Sequence, residues 1–279
     1  MSPKPNCWFV IKPSNIKYIQ RASNFGGALL YGYLYRMKAV AIIPARFAST
    51  RFPAKLLADL GGAPVIVQTY RAVQATGLFA EVWVVTDHDD IENAVTQAGA
   101  LCFRSTRPFE SGSDRIAELA AQLDADLIFN VQGDEPFVDT PTLQALLDVF
   151  YQDAPQQIDL ASVMRVFPAD ADVSNPNQVK VVVDQQGRAL YFSRSPIPFN
   201  RDAQPDVTYF HHIGVYAFRR QALLDFTSWP EGTLERIEKL EQLRYLEHGR
   251  RIQMVRTTHQ GIGIDTPDDL ALARQRWTN

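Results

Sequence analysis

Three cations follow a single apolar run at close spacing. In I-I-P-A-R-F-A-S-T-R-F-P-A-K, residues 42–55, a small-residue loop carries Arg46, Arg51 and Lys55 directly after the run. Arg can grip phosphate oxygens with two parallel hydrogen bonds, while Lys acts as a point charge. A strand end, a tight turn and clustered positive charge suit a polyphosphate; the alternative is a solvated basic loop with surface ion pairs. G-x-x-x-x-G-K-[ST] is absent, and G-I-G at 261–263 lacks the third glycine of a dinucleotide fingerprint. Simple NTPase and dehydrogenase chemistry is therefore not indicated. Asp134 lies just past an apolar run at 127–131, and Asp265 follows Ile264 with Gly261 and Gly263 nearby. A carboxylate at such a strand end can hold Mg²⁺, which takes one or two carboxylates plus phosphates. The alternatives are a turn aspartate bonded to its own backbone and a helix N-terminal carboxylate beside Thr266. Two carboxylates opposite a cationic loop suit metal-assisted phosphoryl or nucleotidyl transfer.

The elements that must position these groups alternate. Residues 39–43 form a continuous apolar run, as in a strand buried on both faces. Residues 64–76 read as a helix, 81–86 as a strand, 89–98 as a helix ended by Gly99, and 113–123 as a helix opened by Ser111, Gly112 and Ser113. A strand at 127–131 and a helix at 140–151 with Pro141 in its first turn follow. This order predicts a mixed, mostly parallel α/β sheet with a Rossmann-like nucleotide-binding half at 37–151. Strands at 158–166, 179–183, 189–193 and 213–218 then come with few helices between them. Helices at 219–227 and 233–247, a strand at 252–255 and a closing helix at 267–276 complete the second half, 152–279. The loop 198–209 is expected to be flexible.

The chain has 279 residues, 46% hydrophobic and 21% charged, with a formal charge of -3. That balance fits a soluble globular protein and gives no global basic field for nucleic acid. No run approaches the ~18 apolar residues of a membrane span. The two cysteines, Cys7 and Cys102, have no metal-ligand spacing, and Cys102 fits a small core residue in a reducing, cytoplasmic compartment. Residues 1–36 carry five basic and no acidic residues, against a net of -8 for the rest. They read as an upstream extension from a misplaced start codon, with Met37 the true start, and are expected to be poorly packed. A targeting segment and a signal peptide are the other readings, but Arg and Ser are few and no clean cleavage site follows.

From about 37 to 276 the chain resembles the bacterial 3-deoxy-manno-octulosonate (KDO) cytidylyltransferase, or CMP-KDO synthetase, family. The resemblance rests on residues 42–55, V-V-T-D at 84–87, S-G-S-D-R at 111–115, N-V-Q-G-D-E-P at 130–136 and N-P-N-Q-V-K at 175–180. It continues through A-L-Y-F-S-R-S-P-I-P at 189–198, H-I-G-V-Y at 212–216, L-E-Q-L-R at 240–244 and G-I-D-T-P-D-D-L at 263–270. Each motif is modest alone; their order over most of the chain is specific.

The resemblance implies the nucleotide-diphospho-sugar transferase type of fold and a homodimer. It implies transfer from CTP to KDO, giving CMP-KDO and pyrophosphate and activating the sugar for lipopolysaccharide synthesis. CTP would lie along Pro44, Ala45, Arg46, Arg51 and Lys55, with Thr86, Asp87, Ser111, Gly112 and Arg115 around base and ribose. Asp134 and Asp265 would hold Mg²⁺. The sugar would meet Gln132, which also borders CTP, and Arg194, His212, Tyr216, Glu241 and Gln242. Bland alternatives stand beside three of these: a satisfied buried His212, a core Tyr216, and an Arg115 paired with Glu118 at i, i+3. An 8-amino-KDO or sialic acid cytidylyltransferase is the alternative activity, and a catalytically dead nucleotide binder is disfavoured by the joint presence of Lys55, Asp134 and Asp265.

Two positions depart from the family pattern. His211 stands where Lys or Arg is usual. Its ordinary pKa of ~6.5 predicts weaker sugar binding above neutral pH if that charge serves the sugar carboxylate or an interface. Ala54 stands where glycine is common, and the change is expected to be tolerated.

Overall fold

The computed structural model describes residues 37–48, 51–106, 112–168, 170–204 and 206–277. These belong to one unit, Met37–Asn279; the expectations for residues 1–36 lie outside the described residues.

Strand β1 (Ala39–Ala45) is buried at every position. Its alternation explains why. Ala39, Ala41, Ile43 and Ala45 enter one hydrophobic cluster, and Val40 and Ile42 enter another, so each face of the strand meets its own core. Lys55–Leu57 then forms a short 3₁₀ turn, followed by a small hairpin of β2 (Asp59–Leu60) and β3 (Ala63–Pro64). The hairpin turns on Gly61 and Gly62, both at positive φ (62° and 85°), as a two-residue turn of this hand requires. Helix α1 (Val65–Ala75), β4 (Glu81–Thr86), α2 (Asp89–Gln97) and β5 (Leu101–Arg104) follow. Then come α3 (Gly112–Ala120), β6 (Leu127–Asn130) and α4 (Thr140–Gln152). Asp139 caps α4 by accepting from Thr142 N at 3.1 Å.

The second half contributes β7 (Leu160–Val166), β8 (Lys180–Val183), β9 (Ala189–Ser193) and β10 (Phe210–Arg219). Helices α5 (Arg220–Ser228), α6 (Thr233–Glu238) and α7 (Gln242–Glu247), β11 (Ile252–Arg256) and α8 (Pro267–Trp277) complete it. One sheet takes strands from both halves in the order β11-β7-β10-β6-β1-β4-β5, with β8 and β9 carried on β10. Pairing is parallel through β6-β1-β4-β5 and for β11 on β7, while β10 runs antiparallel between β6 and β7. The α/β, mixed and mostly parallel architecture read from the element order is the one observed.

Two local expectations fail. The single helix expected at 233–247 is broken at Lys239, which adopts a left-handed conformation (φ 54°, ψ 49°). β5 was not anticipated: its four residues lie at the sheet edge, where half-exposure weakens the apolar signal. In the loop expected to be flexible, Asn200 closes a local ring, donating to Gln204 O and accepting from Gln204 N, both at 2.8 Å.

Candidate active site

A cavity of about 360 Å³ opens beyond the carboxyl ends of β1 and β6, where ligands bind in open α/β sheets. One wall comes from Pro44 near the end of β1, Arg46 and Lys55 after it, and Asp134 and Asp265. Lys55 lies between the two carboxylates: Nζ donates to Asp265 Oδ1 at 2.9 Å and makes a short contact with Asp134 Oδ2. Burial opposes the charge on Lys55, but the two carboxylates outweigh it and hold its pKa above the ordinary lysine value. Asp265 is held below the usual carboxylate range because Lys55 and Arg51 outweigh the effect of burial. Arg51 does not line the cavity; it pairs with Asp265 at 3.2 Å.

Asp265 owes its place to the start of α8. Asp269 accepts from Asp265 N (3.1 Å) and Thr266 N (2.8 Å), and Thr266 Oγ1 accepts from Asp269 N (3.2 Å). This reciprocal cap satisfies the helix terminus and leaves the Asp265 carboxylate for the cations. Ile264 N donates to Asp134 O at 2.9 Å, tying the two acidic loops together. Sequence reading missed Glu135 here. A Cβ on Gly263 would lie 2.8 Å from Glu135 Oε1, so the glycine makes room for this carboxyl. Burial, then the charges of Asp134 and Asp265, push Glu135 up to about 8. The signal was a second acidic group, beside Asp134, within Q-G-D-E-P.

A second side is built from α3. Gly112 and Arg115 line the cavity. Arg115 is buried and donates from Nη2 to Asp87 at 2.8 Å; that hydrogen bond holds Asp87 below the ordinary carboxylate range. Arg115 Nη1 is buried with no partner among the described residues, an unspent donor of the kind a ligand satisfies. The i, i+3 alternative is not realised, because Glu118 accepts from Ser105 and Thr106. Ala45 and Thr86 are buried register partners and do not line the cavity; Thr86 Oγ1 accepts from His88 N at 3.2 Å. Ser111 lies outside the described residues.

On the opposite wall stand Tyr216, Glu241 and Gln242, with Lys239, Leu240 and Gly214, which sequence reading had not singled out as site residues. Gln132 lies between the two sides, its amide donating to Asn130 Oδ1 at 3.2 Å. Gln242 is nearly buried and its amide is oriented: Tyr216 Oη donates to its Oε1 at 3.3 Å, and its Nε2 faces His212 Nδ1 at 3.5 Å. His212 Nε2 in turn meets Ser162 Oγ at 2.9 Å, and Ser162 donates to Val215 O at 2.9 Å. With Nδ1 accepting and Nε2 donating, each donor in this chain finds an acceptor.

Two expected sugar contacts are not brought to the cavity. His212 is a satisfied core histidine behind Gln242, and burial lowers its pKa to about 3. Arg194 spends its guanidinium on three backbone carbonyls. The expected charge at His211 is also absent near neutral pH: burial, then Arg165 and Lys180, lower its pKa to about 4. Its Nδ1 accepts from Arg165 Nε at 3.3 Å. Ala54 sits at φ 54°, a left-handed position in which glycine is the unstrained choice.

Comparison with known proteins decides the family. A profile described as cytidylyltransferase matches residues 40–252. The chain belongs to the cytidylyltransferase family. A relative from Flavobacterium johnsoniae, named 3-deoxy-manno-octulosonate cytidylyltransferase, is 58% identical over 85% of this chain and 98% of its own length. One of the same name from Christiangramia forsetii is 49% identical over 85% and 96%. Among solved structures, CMP:2-keto-3-deoxy-manno-octonic acid synthetase complexed with CTP aligns with TM-score 0.82 and 38% identity, covering 86% of this chain and 98% of that one. A 4-diphosphocytidyl-2C-methyl-D-erythritol synthase from Anaerococcus prevotii (TM-score 0.58, 16% identity, coverage 87% and 99%) shares the fold. The cytidylyltransferase architecture thus places the cationic loop, the two aspartates and the Gln242 wall around one cavity. Among the described residues no helix is long and apolar enough to cross a membrane.

Proposed function

We propose that this nucleotidyltransferase moves the cytidylyl group of CTP to the anomeric 2-hydroxyl of KDO, releasing pyrophosphate. The observation that carries the reading is the convergence of Lys55, Asp134 and Asp265 on one wall of the cavity, facing hydrogen-bonding groups on the other. The relatives named for this activity, matched over nearly their whole length, support the choice of substrates.

In the reaction the sugar hydroxyl loses its proton, its oxygen bonds to the α-phosphorus, and the bond to the β-phosphate oxygen breaks, the electron pair leaving with pyrophosphate. Arg46, Arg51 and Lys55 offset the charge gathered on the phosphates. The unspent Nη1 of Arg115 supplies a donor on the base side. Tyr216, Glu241 and Gln242 fix the sugar so that its hydroxyl points in line, which reduces the entropy lost at the transition state. Asp134 and Asp265 fit Mg²⁺: both already share one cation, Lys55, and both are hard oxygen donors beside space for phosphate. When bound, Mg²⁺ offsets charge on the α-phosphate and the departing pyrophosphate. Lys55 is then free to turn to the phosphate oxygens.

A cytoplasmic homodimer is the accompanying proposal, checked by fractionation and light scattering. The activity is tested by pyrophosphate release from CTP with KDO, 8-amino-KDO and sialic acid in parallel. KDO is expected to give the fastest release. Faster release with either of the others would move the assignment to that sugar, and no release with any would sink it.

A further inference from the structure

Register pairing between β1 and β4 ends at Ala45 and Thr86. Two residues further along each segment, the rings of Phe47 and His88 lie parallel, with centroids 3.7 Å apart and planes 6° from each other. The ring pair thus continues the register past the last paired residues. His88 is the fixed partner. Its N donates to Thr86 Oγ1 at 3.2 Å, and its O accepts from Glu92 N at 3.0 Å. Its ring Nδ1 accepts from Asp90 N at 3.3 Å, which makes His88 the N-cap of α2. A ring nitrogen held by a helix terminus keeps the imidazole plane in one orientation.

Phe47 directly follows Arg46, which is exposed and lines the cavity; neither Phe47 nor His88 lines it. Phe47 is half-buried, packed against the core cluster that β1 also enters. A chain that leaves a sheet loses the ladder bonds that fixed its direction. Beyond Ala45, the bond from Lys55 N to Phe52 O at 3.2 Å belongs to the turn that follows. The Phe47–His88 stack lies between these two fixed points, at the residue after Arg46. It therefore bears on where the cationic loop sets out from the sheet.

We infer that His88 is a positioning residue for nucleotide binding. Its ring, held by the α2 cap, seats Phe47 and so sets the backbone that carries Arg46 into the cavity, while the guanidinium itself stays free to follow the phosphates. This rests on CTP being the nucleotide. The test separates ring from cap. His88→Asn keeps a capping side chain and removes the ring; His88→Phe keeps a ring and removes the cap. CTP affinity is measured by calorimetry with Mg²⁺ and no sugar, and KM for KDO at saturating CTP. His88→Asn is expected to weaken CTP binding about three- to tenfold, the factor that an aromatic pair's energy converts to, and to leave KM for KDO within about twofold. His88→Phe is expected to bind CTP within about twofold of the native protein while melting at a lower temperature. Unchanged CTP affinity in His88→Asn overturns the inference. So does equal weakening in both variants, which assigns the effect to the cap or the imidazole nitrogens. If either variant fails to fold, Phe47→Leu removes the stack from its other side and keeps apolar volume. The same CTP-selective weakening is expected there, and native affinity overturns the inference equally. Native protein that binds no CTP sinks the nucleotide reading, and this inference with it, before any variant is measured; native protein that binds CTP, with variants that match it, sinks this inference alone.

Discussion

The two walls of the cavity are built on opposite principles. On the wall proposed for phosphate the charges are graded: Arg46 is exposed and the side chains of Arg51 behind it and Asp265 are 56% and 51% exposed, while Lys55 and Asp134 are 14% and 24% exposed. On the wall proposed for the acceptor, Gln242 is buried, and the polar groups packed behind it, His212, Arg244 and Glu235, are each under 9% exposed and paired, although Lys239 at its rim is exposed. A polyphosphate brings its own strong field, so cations need only be present and long enough to reach it. A sugar offers hydroxyls of weak individual energy, and discrimination among them comes from donors and acceptors fixed in advance. One wall therefore tolerates loose ends before ligand arrives, and the other does not.

The largest expected break falls on the phosphate wall and affects turnover alone. Asp134→Asn removes one of the two carboxylates that share Lys55. Turnover is expected to fall about 10³-fold, the scale of losing one preorganised charge-stabilising group, with the melting temperature little changed because the site is partly solvated. Initial rates at saturating Mg²⁺ check this. Equal turnover there would remove Asp134 from metal binding.

The acceptor wall should break in the other currency, stability. Arg244 makes a bidentate pair with Glu235 (2.6 and 2.7 Å), donates to Phe226 O and Trp229 O, and lies over the Phe226 ring at 3.9 Å. Arg244→Met strands Glu235 as a buried, unpaired charge, at a cost of about 3–5 kcal/mol. Denaturant unfolding measures it. Adding Glu235→Gln is expected to recover part of the loss, and no recovery would show that lost packing, not the stranded charge, dominates.

Titration sharpens the contrast further. His211 and His212 have folded pKa values of about 4 and about 3, below the ordinary ~6.5. Between those limits the unfolded chain binds more protons, so their contribution is present above ~6.5 and is lost as pH falls. Glu135 works in the opposite sense. Raised to about 8, it favours folding at low pH and loses that contribution as pH rises from its ordinary ~4.3 toward 8. Two histidines outweigh one glutamate on the acid side, so thermal stability should peak near pH ~6.5 and decline on both sides. Glu135→Gln should flatten the alkaline limb and steepen the acid one, because the glutamate no longer opposes the histidines below pH ~6.5. The sugar KM should stay flat between about pH 6 and 8, because neither histidine changes charge there.

The same contrast explains what could be read from the chain alone. The grouping of Lys55, Asp134 and Asp265 is legible because two of them follow the apolar runs of β1 and β6 and the third stands just before α8 beside two glycines, and the structure brings all three together. His212 and Arg194 are not. Their partners are Ser162, Gln242 and backbone carbonyls brought from 18 to 50 residues away, and a carbonyl carries no side-chain signature. The broken helix at Lys239 is equally silent in the sequence: residues 233–247 have helical character throughout, while the carbonyls of Glu238 and Lys239 at the break accept from Arg194, some 44 positions away. Glu135 was hidden because its raised pKa comes first from burial, which the motif does not spell out, and then from Asp134 beside it and Asp265, 130 positions along the chain.

The smallest expected effect lies where the phosphate loop enters its 3₁₀ turn. Ala54 caps that turn in the left-handed region, at φ 54° and ψ 25°. A Cβ there costs about 1–2 kcal/mol; glycine removes that strain but adds roughly 0.5–1 kcal/mol of unfolded-state entropy. The two nearly cancel, so Ala54→Gly should stabilise the protein by only ~0.5 kcal/mol, read from the shift in denaturant midpoint. Because Lys55 is already fixed between two carboxylates, KM for CTP should not move. A marked change in CTP affinity would mean that strain at Ala54 holds the ammonium in place, and that the phosphate wall is preorganised after all.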